Sequence, residues 1–202
     1  MNAPTFAESL PTIKLLPGEL VVVTSPREIV WSVLGSCVSV ILHVPGKISA
    51  VCHAQMPSRS QFDRICSDSC PHPCFKRISD SNDFKFVTCS IEYMIDSIRE
   101  AGADPRQVRV SLLGGASVLP PRASGGESIG SRNLAVARET FASLGLGIAR
   151  ERTGGSKVMS FRYFTGSDQL LLRIDGSKTE EELPTTGIGT KQKSEITPRD
   201  FV

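Results

Sequence analysis

Hydrophobic positions in the first third of the chain alternate or cluster in short blocks, at residues 19–23, 29–33, 38–44 and 48–53. Blocks of this length and period predict strands. The breaks between them are brief. Thr24-Ser25-Pro26-Arg27 and Pro45-Gly46-Lys47 carry turn chemistry, so the opening third reads as a β-meander rather than strand-helix-strand. Residues 57–83 turn polar and rich in Ser, Asp, Pro and Cys without periodicity, which predicts a long surface insertion. Beyond it, Val87, Ile91, Met94, Ile95 and Ile98 recur at helical spacing until Gly102 closes the pattern. Residues 108–113 predict a short strand running into Gly114-Gly115-Ala116, and a Pro/Gly/Ser stretch follows over 119–126. A second helix is expected with Asn133 as its N-cap, with Leu134, Ala137, Phe141 and Leu144 on one face and Gly145 as its stop. Strands over 148–152, 158–164 and 169–174 complete an α+β pattern. The domain therefore spans 18–175, after an N-terminal lead over 1–17. Hydrophobicity collapses over 176–202, which reads as a mobile C-terminal tail.

Composition narrows the function classes. The chain has 202 residues, 40% hydrophobic and 22% charged, an ordinary globular balance with room for one sizeable core. Lys+Arg of 23 against Asp+Glu of 21 gives a formal charge of +2, too even for nucleic acid or an acidic membrane as main partner. The longest mostly apolar stretch, residues 31–44, is interrupted by Ser32, Ser36, Ser39 and His43 and falls short of the roughly 20 apolar residues of a spanning helix. No membrane insertion is expected. The start lacks a basic region followed by an apolar run, so no cleaved leader is indicated and the chain reads as cytoplasmic. Neither phosphate-loop nor dinucleotide glycine spacing occurs between a strand and a helix, which leaves Gly114-Gly115 and Gly154-Gly155 as structural turns.

The residues that carry chemistry are cysteines and histidines. Six cysteines are too sparse for a disulfide scaffold, and a reducing compartment would keep them as thiols. In Leu34-Gly35-Ser36-Cys37-Val38, small neighbours leave Cys37 approachable and place backbone N–H groups where an oxyanion could form. Cysteine is among the most buried residue types, and a lone histidine on an apolar strand is more often packing than base. What changes the reading is the pairing. With a turn near residue 46, Cys37 and His53 fall close to cross-strand partners, within reach of each other. Such a base would lower the thiol's pKa and make Cys37 react faster near pH 7 than a free cysteine.

These residues resemble a bacterial family, the chemoreceptor glutamine deamidases called CheD. The resemblance covers residues 18–174. It rests on the Cys37 motif, on Ala50-Val51-Cys52-His53-Ala54-Gln55-Met56-Pro57, on Glu100-Ala101-Gly102-Ala103, on Gly114-Gly115-Ala116 and on Ile129-Gly130-Ser131-Arg132-Asn133. It implies an α+β layered sandwich of mixed β-sheets with helices, similar to the deamidase domain of cytotoxic necrotizing factor toxins. It implies Cys37 as nucleophile, His53 as base, and hydrolysis of glutamine side chains of methyl-accepting chemotaxis receptors to glutamate with release of ammonia, without a cofactor. Backbone around Gly35 and Ser36 would hold the oxyanion. The family places a histidine-orienting threonine six positions before the nucleophile. Here that position is Trp31, with Ser32 the nearest hydroxyl, and Thr153-Gly154-Gly155-Ser156-Lys157-Val158 is shorter than the family's glycine-rich motif. The family also engages CheC-type phosphatases, so the same fold could serve as a non-catalytic partner of receptor or phosphatase.

Within the insertion, Cys66, Cys70, His72 and Cys74 supply three sulfurs and a nitrogen, a number and softness that suit tetrahedral zinc. The spacing differs from common zinc knuckles and Pro71 and Pro73 stiffen it. The competing reading is a solvated loop with redox-capable thiols, since the family does not require a metal there.

Overall fold

The computed structural model describes residues 10–24, 28–58, 83–118 and 126–185. Residues 59–82 of the polar insertion, with its four candidate metal ligands, Cys66, Cys70, His72 and Cys74, lie outside the described residues, as do the residues beyond 185. Among the described residues ten strands form two mixed five-stranded sheets, and two α-helices cover one of them. The expected α+β sandwich is the observed architecture.

The central hairpin explains the layering. Strands β4 (Val38–Val44) and β5 (Ile48–Ala54) are buried at every position, so both faces of their sheet are covered. Val38, Val40, Leu42, Ala50 and Cys52 face one way, toward helix α1 (Val87–Glu100). Helix α1 buries Val87, Ile91, Met94, Ile95 and Ile98, the three-and-four spacing that gathers apolar side chains on one stripe. Helix α2 (Ile129–Ser143) adds Leu134, Ala137 and Phe141 to the same layer. Ile41 and Val51 face the other way, against the second sheet. Each large side chain so buried contributes roughly 1.5–3 kcal/mol.

The covered sheet has the order β2 (Leu20–Val23), β5, β4, β6 (Arg109–Gly114), β7 (Ile148–Thr153). The outer sheet has the order β1 (Thr12–Lys14), β3 (Ile29–Leu34), β8 (Met159–Phe164), β9 (Gln169–Ile174), β10 (Glu181–Glu182). Val30, Leu34, Phe161, Tyr163, Leu170 and Leu172 point from it into the space between the sheets.

Several expectations are corrected. The opening third is not a meander: β2 pairs with β5, and β3 leaves for the outer sheet, so only β4 and β5 form a hairpin. Crossing between sheets is what Leu34-Gly35-Ser36 does, and short turns at both ends hid it. Residues 12–14, within the lead read from the sequence, add the edge strand β1 parallel to β3, and Leu15 after them is buried. Residues 181–182, within the tail, add the two-residue edge β10. Edges of two or three residues give no period to read. Helix α2 starts five residues earlier than expected, with the Ser128 hydroxyl capping Ser131 N–H at 3.0 Å, and Asn133 is buried inside it. Among the described residues no helix is long and apolar enough to cross a membrane.

Candidate active site

The space between the sheets is closed by aliphatic and aromatic side chains in its middle and carries polar groups at both ends. Ser39 stands directly opposite His53 in the β4–β5 register, so Cys37, two residues before Ser39, is His53's diagonal neighbour rather than its direct partner. The register centres on Gly46, which fixes the pairing one diagonal step from the expected one. Diagonal neighbours share a face and lie roughly 7–8 Å apart between α-carbons. Cys37 packs against the inter-sheet core and is half-buried, whereas His53 is 2% exposed.

Strand alternation decides which of Trp31 and Ser32 faces His53. Trp31 faces outward under the Lys14 ammonium, and Ser32, one residue on, faces inward and is buried. Ser32 Oγ donates to Leu15 O at 2.7 Å and lies 2.9 Å from His53 Nδ1. Its one proton is thereby committed, so the hydroxyl accepts from Nδ1–H. Leu15 O, 3.4 Å from Nδ1, takes the same tautomer. The consequence is that Nε2 carries a lone pair. It is buried and has no hydrogen-bond partner among the described residues. The backbone of the segment before β2 holds the ring's strand in place, with Gly18 N–H donating to His53 O at 2.8 Å and His53 N–H to Glu19 O at 2.9 Å.

The loop that carries Cys37 is pinned by its carbonyls. Gly35 O accepts from Ala116 N–H at 2.9 Å and Cys37 O from Gly115 N–H at 2.8 Å. Ser36 O accepts from Asn133 Nδ2 at 3.0 Å. Among the described residues the N–H groups of Ser36 and Cys37 donate to no backbone carbonyl. Gly114 makes the approach possible: at φ +92°, a Cβ there would stand 2.3 Å from Cys37 O. A structural role for Gly114-Gly115 is thus what the fold shows.

Electrostatics run against a preformed ion pair. Burial pushes the Cys37 thiol above its ordinary value, with its own backbone N–H opposing. Burial pushes His53 below its ordinary value, with the Leu15 carbonyl and Glu19 opposing. At neutral pH both groups are uncharged, so the faster resting thiol expected from the sequence is not what this environment produces. Cys52 is fully buried on the helix side, its thiol pushed up to about 11 by desolvation. It is packing.

A second polar cluster, invisible in the sequence reading, fills the other end. Arg150 is 3% exposed and donates to Ser111 Oγ and to Asp168. Arg109 meets the same carboxylate at 2.7 Å. Tyr163 OH donates to Asp168 Oδ1 at 3.2 Å and lies 3.1 Å from Ser49 Oγ, which lies 2.9 Å from His43 Nδ1.

Comparison with known proteins finds a family and relatives by sequence. Residues 71–174 match the family model described as CheD chemotactic sensory transduction. The chain is 33% identical over 165 residues to a Geobacter sulfurreducens protein named a probable chemoreceptor glutamine deamidase CheD 2, covering 81% of this chain and 90% of that one. It is 26% identical over 168 residues to the chemoreceptor glutamine deamidase CheD of Thermotoga maritima, covering 82% and 94%. It is 30% identical over 149 residues to a Natronomonas pharaonis relative named a probable chemoreceptor glutamine deamidase, covering 72% and 79%. On a family match over half its length and relatives aligned over most of theirs, this chain belongs to the CheD family.

Proposed function

We propose that this chain hydrolyses glutamine side chains of methyl-accepting chemotaxis receptors to glutamate, with Cys37 as nucleophile and His53 as proton carrier. The observation that carries the reading is the buried, unpartnered Nε2 of His53, on the strand face it shares with Cys37, behind an Nδ1 committed to Ser32. Because both groups rest uncharged, proton transfer accompanies attack. Cys37 sulfur bonds to the carboxamide carbon while its proton passes to Nε2. The carbonyl oxygen becomes an oxyanion facing the N–H groups of Ser36 and Cys37. The imidazolium then protonates the amide nitrogen, the carbon–nitrogen bond breaks, and ammonia leaves a thioester. Nε2 next takes a proton from water, the hydroxide attacks the thioester, and the carbon–sulfur bond breaks to give glutamate. The Cys37 thiol regains its proton. Ser32 holds the ring in the tautomer both steps need.

A CheC-type phosphatase is the second partner the resemblance implies. The exposed Val118, whose methyls approach the Gly35 position to 3.6 Å, offers it an apolar contact beside the nucleophile loop. A cytoplasmic location fits thiol chemistry that must stay reduced. The test is ammonia release from a purified receptor cytoplasmic fragment. Cys37→Ser is expected to lose at least about a thousandfold while melting as the parent does. An unchanged rate in Cys37→Ser would refute Cys37 as the nucleophile.

A further inference from the structure

Asn133 has no solvent exposure and sits one turn into α2, where an apolar residue would pack more cheaply. Its Nδ2 donates to Ser36 O at 3.0 Å and to Gln55 O at 2.9 Å. Its Oδ1 is buried without a partner among the described residues. The assignment of the two amide atoms is not arbitrary, because the reverse would set an oxygen against two carbonyl oxygens. A buried acceptor left bare costs roughly 1–3 kcal/mol, and such groups in native proteins call for a reason. The reason lies in what the donor end holds. Ser36 precedes the nucleophile, and Gln55 lies two residues beyond the base. One side chain ties the nucleophile loop to the end of the base's strand.

The direction of the tie matters. In a trans peptide the C=O of residue 36 and the N–H of residue 37 point opposite ways. Fixing Ser36 O toward α2 therefore turns Cys37 N–H away from the helix, to the side of its own sulfur, where a thiolate would accept from it. Gly130 lets the helix come this close, since a Cβ there would stand 2.4 Å from Gly115 O. Gly115 in turn donates to Cys37 O.

We propose that Asn133 is a positioning residue for deamidation: it holds the Ser36–Cys37 peptide so that Cys37 N–H meets the developing oxyanion, and it fixes the span from nucleophile loop to base strand. The inference rests on Cys37 being the nucleophile. Asn133→Leu keeps the branched skeleton and removes both donors, and Asn133→Ser is a smaller second variant. With the receptor fragment, kcat per folded molecule is expected to fall by about 100-fold, the loss typical of one oxyanion donor, with KM within about threefold. Alkylation of Cys37 by iodoacetamide, followed by peptide mass mapping, is expected to stay within about threefold of the parent, because displacement at a methylene carbon develops no oxyanion. A merely structural asparagine would move the melting temperature and leave kcat per folded molecule alone. That result overturns the proposal, as does a fall of alkylation in step with kcat, or failure of both variants to fold. Activity retained in Cys37→Ser would instead sink the reading beneath it, whatever Asn133 does.

Discussion

The two ends of the inter-sheet space hold the same local device and use it differently. At one end His53 Nδ1 meets the Ser32 hydroxyl at 2.9 Å, and at the other His43 Nδ1 meets the Ser49 hydroxyl at 2.9 Å. Burial lowers the basicity of both imidazoles. Beyond the serine they diverge. Ser49 continues to Tyr163, Asp168, Arg150 and Arg109, a network from which no side-chain atom is left buried and unpartnered. Ser32 ends on a backbone carbonyl, and the buried unpartnered side-chain atoms among the described residues are His53 Nε2 and Asn133 Oδ1. A histidine–serine pair is therefore no sign of chemistry by itself. The unspent atoms around it are.

The largest expected contrast follows from exchanging each histidine. His53→Gln is expected to lower ammonia release by about 10²–10⁴-fold, the range of general acid–base catalysis, with little loss of stability. His43→Gln is expected to leave kcat per folded molecule unchanged. Equal losses in the two would erase the distinction between the ends. Next in size, Arg150→Met strips the buried Asp168 of its most enclosed partner, and breaking such a pair costs about 3–5 kcal/mol. Urea unfolding is expected to show that loss, with activity per folded molecule retained.

The smallest effect is on pH dependence. Each histidine binds its proton more weakly folded than unfolded, for the same first cause, desolvation. Asp168 pulls His43 the other way, while Arg109 and Arg150 reinforce burial. Between the unfolded value near 6.5 and the lower folded one, the unfolded chain holds more protons, so stability falls as the pH falls. Melting curves between pH 7 and pH 5 are expected to show this decline, and His43→Gln and His53→Gln should each make it shallower. A slope that neither variant changes would remove both groups from the account.

Much of this was legible before any coordinates. Long blocks such as Val38–Val44 and the stripe of α1 have one stable reading each, since burial on both faces or on one helical face leaves no alternative. The nearness of Cys37 and His53 is legible because a tight turn puts their strands together. Partnership across the fold could not. The inward turn of Ser32 depends on which sheet β3 joins, and the crossover at Gly35 concealed that. Asn133 looked like a helix cap because asparagine favours that position and the apolar face begins at Leu134. Gly130, inside α2, is explained only by the closeness of Gly115. The Arg150–Asp168 network draws on residues apart in the chain, on β7 and in the turn before β9, each unremarkable in its own neighbourhood.

The central claim is a covalent bond between Cys37 and the substrate's former amide carbon, and hydroxylamine reports on it directly. A thioester is captured by this nucleophile, so turnover of the receptor fragment in its presence is expected to convert part of the product from glutamate to the hydroxamate at the same position, read by peptide mass. Cys37→Ser should give none. Glutamate as sole product, formed at the parent's rate with Cys37 replaced, would mean that water attacks the amide without help from this sulfur.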